Sequence, residues 1–133
     1  MTFVTTSRKP VPEVRTLAKG LAFALGWQYL TRGKMGVQDL NERGPLLFLV
    51  SGEAKSIRVA LIRDNSTVTE FTVDSIGIQE RTGTMAHGIT VSDKGLFEAL
   101  SPFIEVRLGG ANEHRTLSYD GPQKKQYLLT LRD

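Results

Sequence analysis

Two short stretches hold the residues best suited to chemistry: "TTSRKP" at 5–10 and "TRGKMG" at 31–36. Each sets Arg and Lys beside small or turn-forming neighbours, so that cations, hydroxyls and open backbone amides can converge on one anion. Thr5, Thr6 and Ser7 offer hydroxyl donors next to Arg8 and Lys9, and Arg32 and Lys34 flank Gly33. Between the two stretches, Arg15 and Lys19 stand four residues apart, the spacing that puts two side chains on one helical face. Such a set suits phosphate. The plainer reading is solvation, with a helix face and two turns kept polar by water.

Other chemistry finds little support. His87 and His114 have no neighbour at metal-ligand spacing, and the chain has no cysteine, which excludes disulfides and thiolate metal sites. "GWQYLTRGKM" comes nearest to a phosphate-cradling P-loop, yet Gly26 and Gly33 are too far apart and Met35 stands where Ser or Thr would hold magnesium. Neither a G-x-G-x-x-G fingerprint nor a G-x-S-x-G elbow occurs. No catalytic residue, metal or cofactor is expected, and the chain reads as a protein other than an enzyme.

Charge distribution sharpens the first reading. Residues 1–45 hold seven basic groups against three acidic ones, whereas residues 46–133 hold ten against eleven. A surplus confined to the first third suggests a polyanionic partner. The 133 residues allow one ordinary core. "LLFLV" (46–50) is the longest apolar run, far short of the roughly 20 residues that span a bilayer, so no membrane partner is expected. "GLAFALGW" (20–27) has the look of a signal-peptide core but continues an amphipathic helix and lacks a cleavage site, so a cytoplasmic protein is expected.

These residues need elements to position them. "TFVTTS" (2–7) reads as a strand, broken by the two prolines of "RKPVPE". Pro12 and Glu13 suit a helix start, and Val14, Leu17, Ala18, Leu21, Ala22 and Leu25 then recur on one helical face up to Gly26. That spacing puts "TTSRKP" and "TRGKMG" beyond opposite ends of one helix. "WQYL" reads as a short extended piece, "VQDLNER" (37–43) as a short helix, and "LLFLVSG" (46–52) as a strand covered on both faces. Strands at 56–64 and 66–75 join tightly through Asp64-Asn65. Residues 76–92 read as an irregular strand and a long loop. A second helix lies within 92–103, capped by Ser92 or Asp93, with Leu96, Phe97 and Leu100 buried. A strand at 104–110, a polar turn from Gly109 to Asp120 and a last strand at 126–133 complete a mixed α/β order whose elements hint at two similar halves.

With these elements in place, "TTSRKPVPEVRTLAKGLAFALG" followed by "RGKMGVQDL" resembles the opening of the Brix domain family of ribosome-biogenesis proteins. The likeness covers about residues 2–50 and the closing "YLLTLRD", in a compact, archaeal form; Val11-Pro12 departs from the family pattern, which has polar residues there. It implies one domain over 1–133 with approximate halves 1–63 and 64–133, each similar to the anticodon-binding domain of class IIa aminoacyl-tRNA synthetases. It further implies non-catalytic binding of ribosomal RNA or its precursor, with other ribosome-assembly proteins as further partners. The family's basic motif falls on Ser7, Arg8, Lys9, Arg15, Arg32, Gly33 and Lys34, and Lys19 joins them from the helix spacing. Two other readings stand beside this one: a protein-interaction scaffold whose charge serves solubility, and a tRNA-binding module by analogy of fold. Trp27 and Tyr29 are candidates for stacking on unpaired bases, although a lone Trp more often fills a core.

Overall fold

Thr2–Thr6 form strand β1, and Pro12–Leu25 form helix α1, which starts at an uncapped Val11 with proline in its first turn. Its end is a Schellman closure: Gly26, at φ +69°, and Trp27 donate their amides to the carbonyls of Phe23 and Ala22. The remaining elements are β2 (Gln28–Tyr29), β3 (Leu46–Glu53), β4 (Ser56–Arg63), β5 (Ser66–Glu80), β6 (Ile89–Val91), α2 (Lys94–Leu100), β7 (Val106–Leu108), β8 (Thr116–Asp120) and β9 (Lys125–Leu131). This computed structural model describes every residue except 1, 32, 34, 35, 37, 38, 41, 43, 45, 54, 110–114 and 133. The short helix expected over 37–43 lies largely outside the described residues, among which Asp39, Leu40 and Glu42 are helical.

Among the described residues the strands form one nine-stranded mixed sheet in the order β2-β1-β3-β4-β5-β9-β8-β6-β7. Parallel pairs lie toward its edges, where β1 joins β2 and β3 and where β6 joins β7; the other pairs are antiparallel. Read outward from β5, the order is 4-3-1-2 on one side and 9-8-6-7 on the other, and a helix follows both β1 and β6. Asp64 and Asn65, both at positive φ, make the two-residue hairpin turn that their sequence predicts.

Alternation along the strands divides the core. Val4, Phe48, Val50, Val59, Phe71, Leu117, Tyr119 and Leu129 face the helices in one continuous cluster with Val14, Leu17, Leu21, Leu96 and Leu100. Phe3 and Leu47 point the other way and pack with Leu40, so β3 is covered on both faces as its apolar run predicts. Tyr119 is buried, stacks on Tyr127 at 5.1 Å and lies beneath Gly20 of α1. A Cβ at Gly20 would come within 2.9 Å of the Tyr119 hydroxyl, which has no hydrogen-bond partner among the described residues. Glycine therefore sets how closely α1 approaches β8. Asp93 caps α2 by accepting from the Leu96 amide at 2.9 Å, and its carboxylate also meets Arg115 at 3.4 Å.

Two expectations are corrected. The polar turn expected from Gly109 to Asp120 ends in β8, because Leu117 and Tyr119 alternate inward from a segment whose other residues are polar. Strand β5 does not stop near Ser75 but runs to Glu80, since its second part pairs with β9 after a register shift between Val73 and Ser75.

Candidate nucleic-acid interface

The β1–α1 corner is held from both sides. Ser7 donates its amide to the Val50 carbonyl at 2.9 Å, Leu30 donates to Val4 at 2.8 Å, and the buried Thr5 hydroxyl donates to the Leu30 carbonyl at 2.7 Å. These bonds fix the end of β1 between β3 and the end of β2. Lys9 follows with φ +51°, a left-handed backbone that costs a non-glycine residue about 1–2 kcal/mol. Pro10 then leads into the helix.

Because β2 runs parallel to β1, the chain that leaves α1 returns to the end from which it came. Thr31 and Gly33 thus sit beside Thr6 and Ser7, not beyond the far end of the helix. The expected placement of the two basic stretches at opposite ends of α1 is corrected by this pairing. Two residues of parallel strand suffice for the reversal.

Together these segments line a groove of about 530 Å³. Ser7, Lys9 and Pro10 form one wall, Arg15 and Lys19 of α1 another, and Tyr29, Thr31 and Gly33 a third. Lys19 extends over the Tyr29 ring, its Nζ 5.6 Å from the centroid. No carboxylate appears among the described lining residues, so the three cations meet no acid in the groove itself. Arg15 closes the first turn of α1, and Lys19 stands one turn further along the same face.

Of the residues singled out in the sequence, the structure brings Thr6, Ser7, Lys9, Arg15, Lys19, Tyr29 and Gly33 into this groove. Arg8 is placed elsewhere. Its guanidinium lies beside Gly36, near the Asp39 carboxylate that accepts from the Gly36 amide at 3.2 Å. Successive side chains at a turn diverge, so adjacency to Lys9 did not bring Arg8 into the groove. Arg32, Lys34 and Met35 lie outside the described residues, as does His114. Pro10 and Thr31 complete the lining. Thr31 was missed, and only its position before Arg-Gly-Lys could have signalled it. Trp27 packs on Phe48 with ring centroids 5.5 Å apart, which is the core role expected of a lone Trp. Among the described residues, no group of three acids or histidines is placed to hold a metal, and no helix is long and apolar enough to cross a membrane.

No protein-family model matches the chain. Curated proteins do match. A probable Brix domain-containing ribosomal biogenesis protein of Methanothermobacter thermautotrophicus is 33% identical over 61 residues, and its counterpart in Archaeoglobus fulgidus is 32% identical over 79. One from Methanosarcina barkeri is 47% identical over 49 residues. Over these stretches the chain is similar to Brix domain proteins. The matched stretches cover 44%, 57% and 35% of this chain, and they span 39%, 52% and 31% of those Brix proteins' own lengths. Among solved structures, the crystal structure of Mil, an archaeal Imp4-like protein, superposes with a TM-score of 0.68 over 98% of this chain and 97% of that one. At 21% identity that likeness speaks for the fold. The α/β architecture is thus that of an archaeal Imp4-like protein.

Proposed function

We propose that this protein is a non-catalytic ribosome-biogenesis factor that grips ribosomal RNA or its precursor through the groove of Lys9, Arg15 and Lys19. One observation carries the reading: three cations and four hydroxyl side chains, those of Thr6, Ser7, Tyr29 and Thr31, line a concave surface with no acid among its described lining residues. Phosphate oxygens need that combination of point charges and donors. Kinship with Brix proteins described as ribosomal biogenesis factors supports the biological setting, and with it a cytoplasmic location and partners in the assembling ribosome. The mirrored strand order about β5 supports one domain of two related halves, divided near residue 63, each similar to the anticodon-binding domain of class IIa synthetases.

A salt titration of binding to small-subunit rRNA fragments tests the reading. Each phosphate neutralised on structured RNA contributes about 0.7–0.9 to the slope of log K against log salt. Replacing Lys9, Arg15 and Lys19 together by Ala is expected to flatten that slope by about 2 and to weaken binding to every fragment alike. A folded wild type without salt-sensitive affinity for RNA would end the proposal.

The scaffold reading keeps one observation in its favour. Pro12, Leu17, Ile76, Ile78 and Tyr127, together with Glu13 and Thr16, line a largely apolar groove of about 330 Å³, in which Ile78 is 55% exposed. Binding of a ribosome-assembly protein lost on Ile78→Asp, with RNA affinity unchanged, would assign that surface to a protein partner.

A further inference from the structure

We infer that the basic groove receives one unpaired nucleotide of RNA, its base laid on the Tyr29 ring and its phosphate met by Lys19 and Arg15; this rests on the RNA-binding reading above. Size argues first. A recess of about 530 Å³ can take a nucleotide, whereas an A-form helix keeps its bases stacked inside and presents phosphates and 2′-hydroxyls across a broad surface. Such a helix would touch the rim cations and leave the interior of the groove unused.

The ring argues second. Tyr29 packs partly against the core, while Lys19 Nζ stands over the ring, 5.6 Å from its centroid. A ring face that accepts an ammonium also accepts a base, and stacking of a base is the stronger of the two contacts. Lys19 is exposed and carried on a flexible four-carbon stem, so a stacked base would displace it toward the phosphate that accompanies the base. The cation–π contact then serves as a placeholder. Thr31 and Ser7, on either side, offer hydroxyls for the sugar or the base edge.

Fluorescence anisotropy on the full chain tests this with three labelled RNAs: a uridine hexamer, a hexamer of abasic ribose phosphates, and a hairpin with at least as many phosphates. The uridine hexamer is expected to bind about 10-fold more tightly than the abasic one. Tyr29→Leu should erase that margin and Tyr29→Phe should keep it, with circular dichroism melts confirming that both variants fold. The abasic comparison needs no variant. Equal affinity for uridine and abasic hexamers would overturn the inference while leaving RNA binding in place, as would preference for the hairpin with no base margin. Failure of the folded protein to bind any of the three in a salt-sensitive manner would overturn the RNA-binding reading itself.

Discussion

Tyr119→Phe tests the packing of α1 on the sheet more directly than any core truncation. The phenol is 3% exposed and its Oη has no partner among the described residues, so the hydroxyl lost its water on folding and gained no hydrogen bond. A buried unsatisfied group of this kind costs about 1–3 kcal/mol. Phenylalanine keeps the ring, its stacking on Tyr127 and its seat under Gly20. The variant should therefore be more stable by about 1 kcal/mol, raising Tm by roughly 3–5 °C. The same burial, with the neighbouring Tyr127 adding to it, holds the Tyr119 hydroxyl well above its ordinary value of 10.0. An unfolded chain loses this proton near pH 10 and the folded chain keeps it. Wild-type stability from this group is thus constant below pH 10 and falls above it by up to about 1.4 kcal/mol per pH unit. Urea unfolding at pH 7, 10 and 11 should show the variant ahead at pH 7 and its lead widening above pH 10. Loss of more than about 1 kcal/mol at pH 7, or stability curves that stay parallel to pH 11, would mean that the hydroxyl finds a partner and the argument fails.

Gly20→Ala gains helix propensity but drives a Cβ to 2.9 Å from the Tyr119 hydroxyl, so it should destabilise by about 1–3 kcal/mol in thermal melts, less in the Tyr119→Phe background. Lys9→Gly relieves the backbone at φ +51° and removes one cation; Tm should hold or rise while the salt slope of RNA binding drops by about 0.7–0.9. Leu17→Ala empties a site only 1% exposed and should cost about 2–5 kcal/mol by denaturant unfolding.

Much of the fold was legible because local signals agreed with tertiary demand. Helix α1 announced itself through its apolar period and its Pro and Gly boundaries, and the β4–β5 hairpin through Asp64-Asn65. Strand β8 stayed hidden because Leu117 and Tyr119 are two apolar residues in a polar stretch, and only pairing with β6 and β9 makes them a strand. The site was legible in composition but not in placement. Lys9, Arg15 and Lys19 stand out as basic residues suited to one anion, yet their meeting with Thr31 and Gly33 depends on two residues of parallel pairing at Gln28 and Tyr29, which periodicity cannot reveal. Arg8 shows the converse, since a residue adjacent to Lys9 in sequence lies beside Gly36 instead.

The central place of β5 also sets a timetable for the nascent chain. Its first part can pair with β4 as soon as Val73 has left the ribosome, but Ile76–Glu80 pair with Lys125–Leu129 at the far end of the sequence. At roughly 5–20 residues per second, that ribbon with its two isoleucines stands as an open edge for several seconds of synthesis. An unpaired apolar edge is a template for other chains. Translation halted between Glu80 and Lys125 would therefore release a product whose first strands can pair while its last strand invites aggregation.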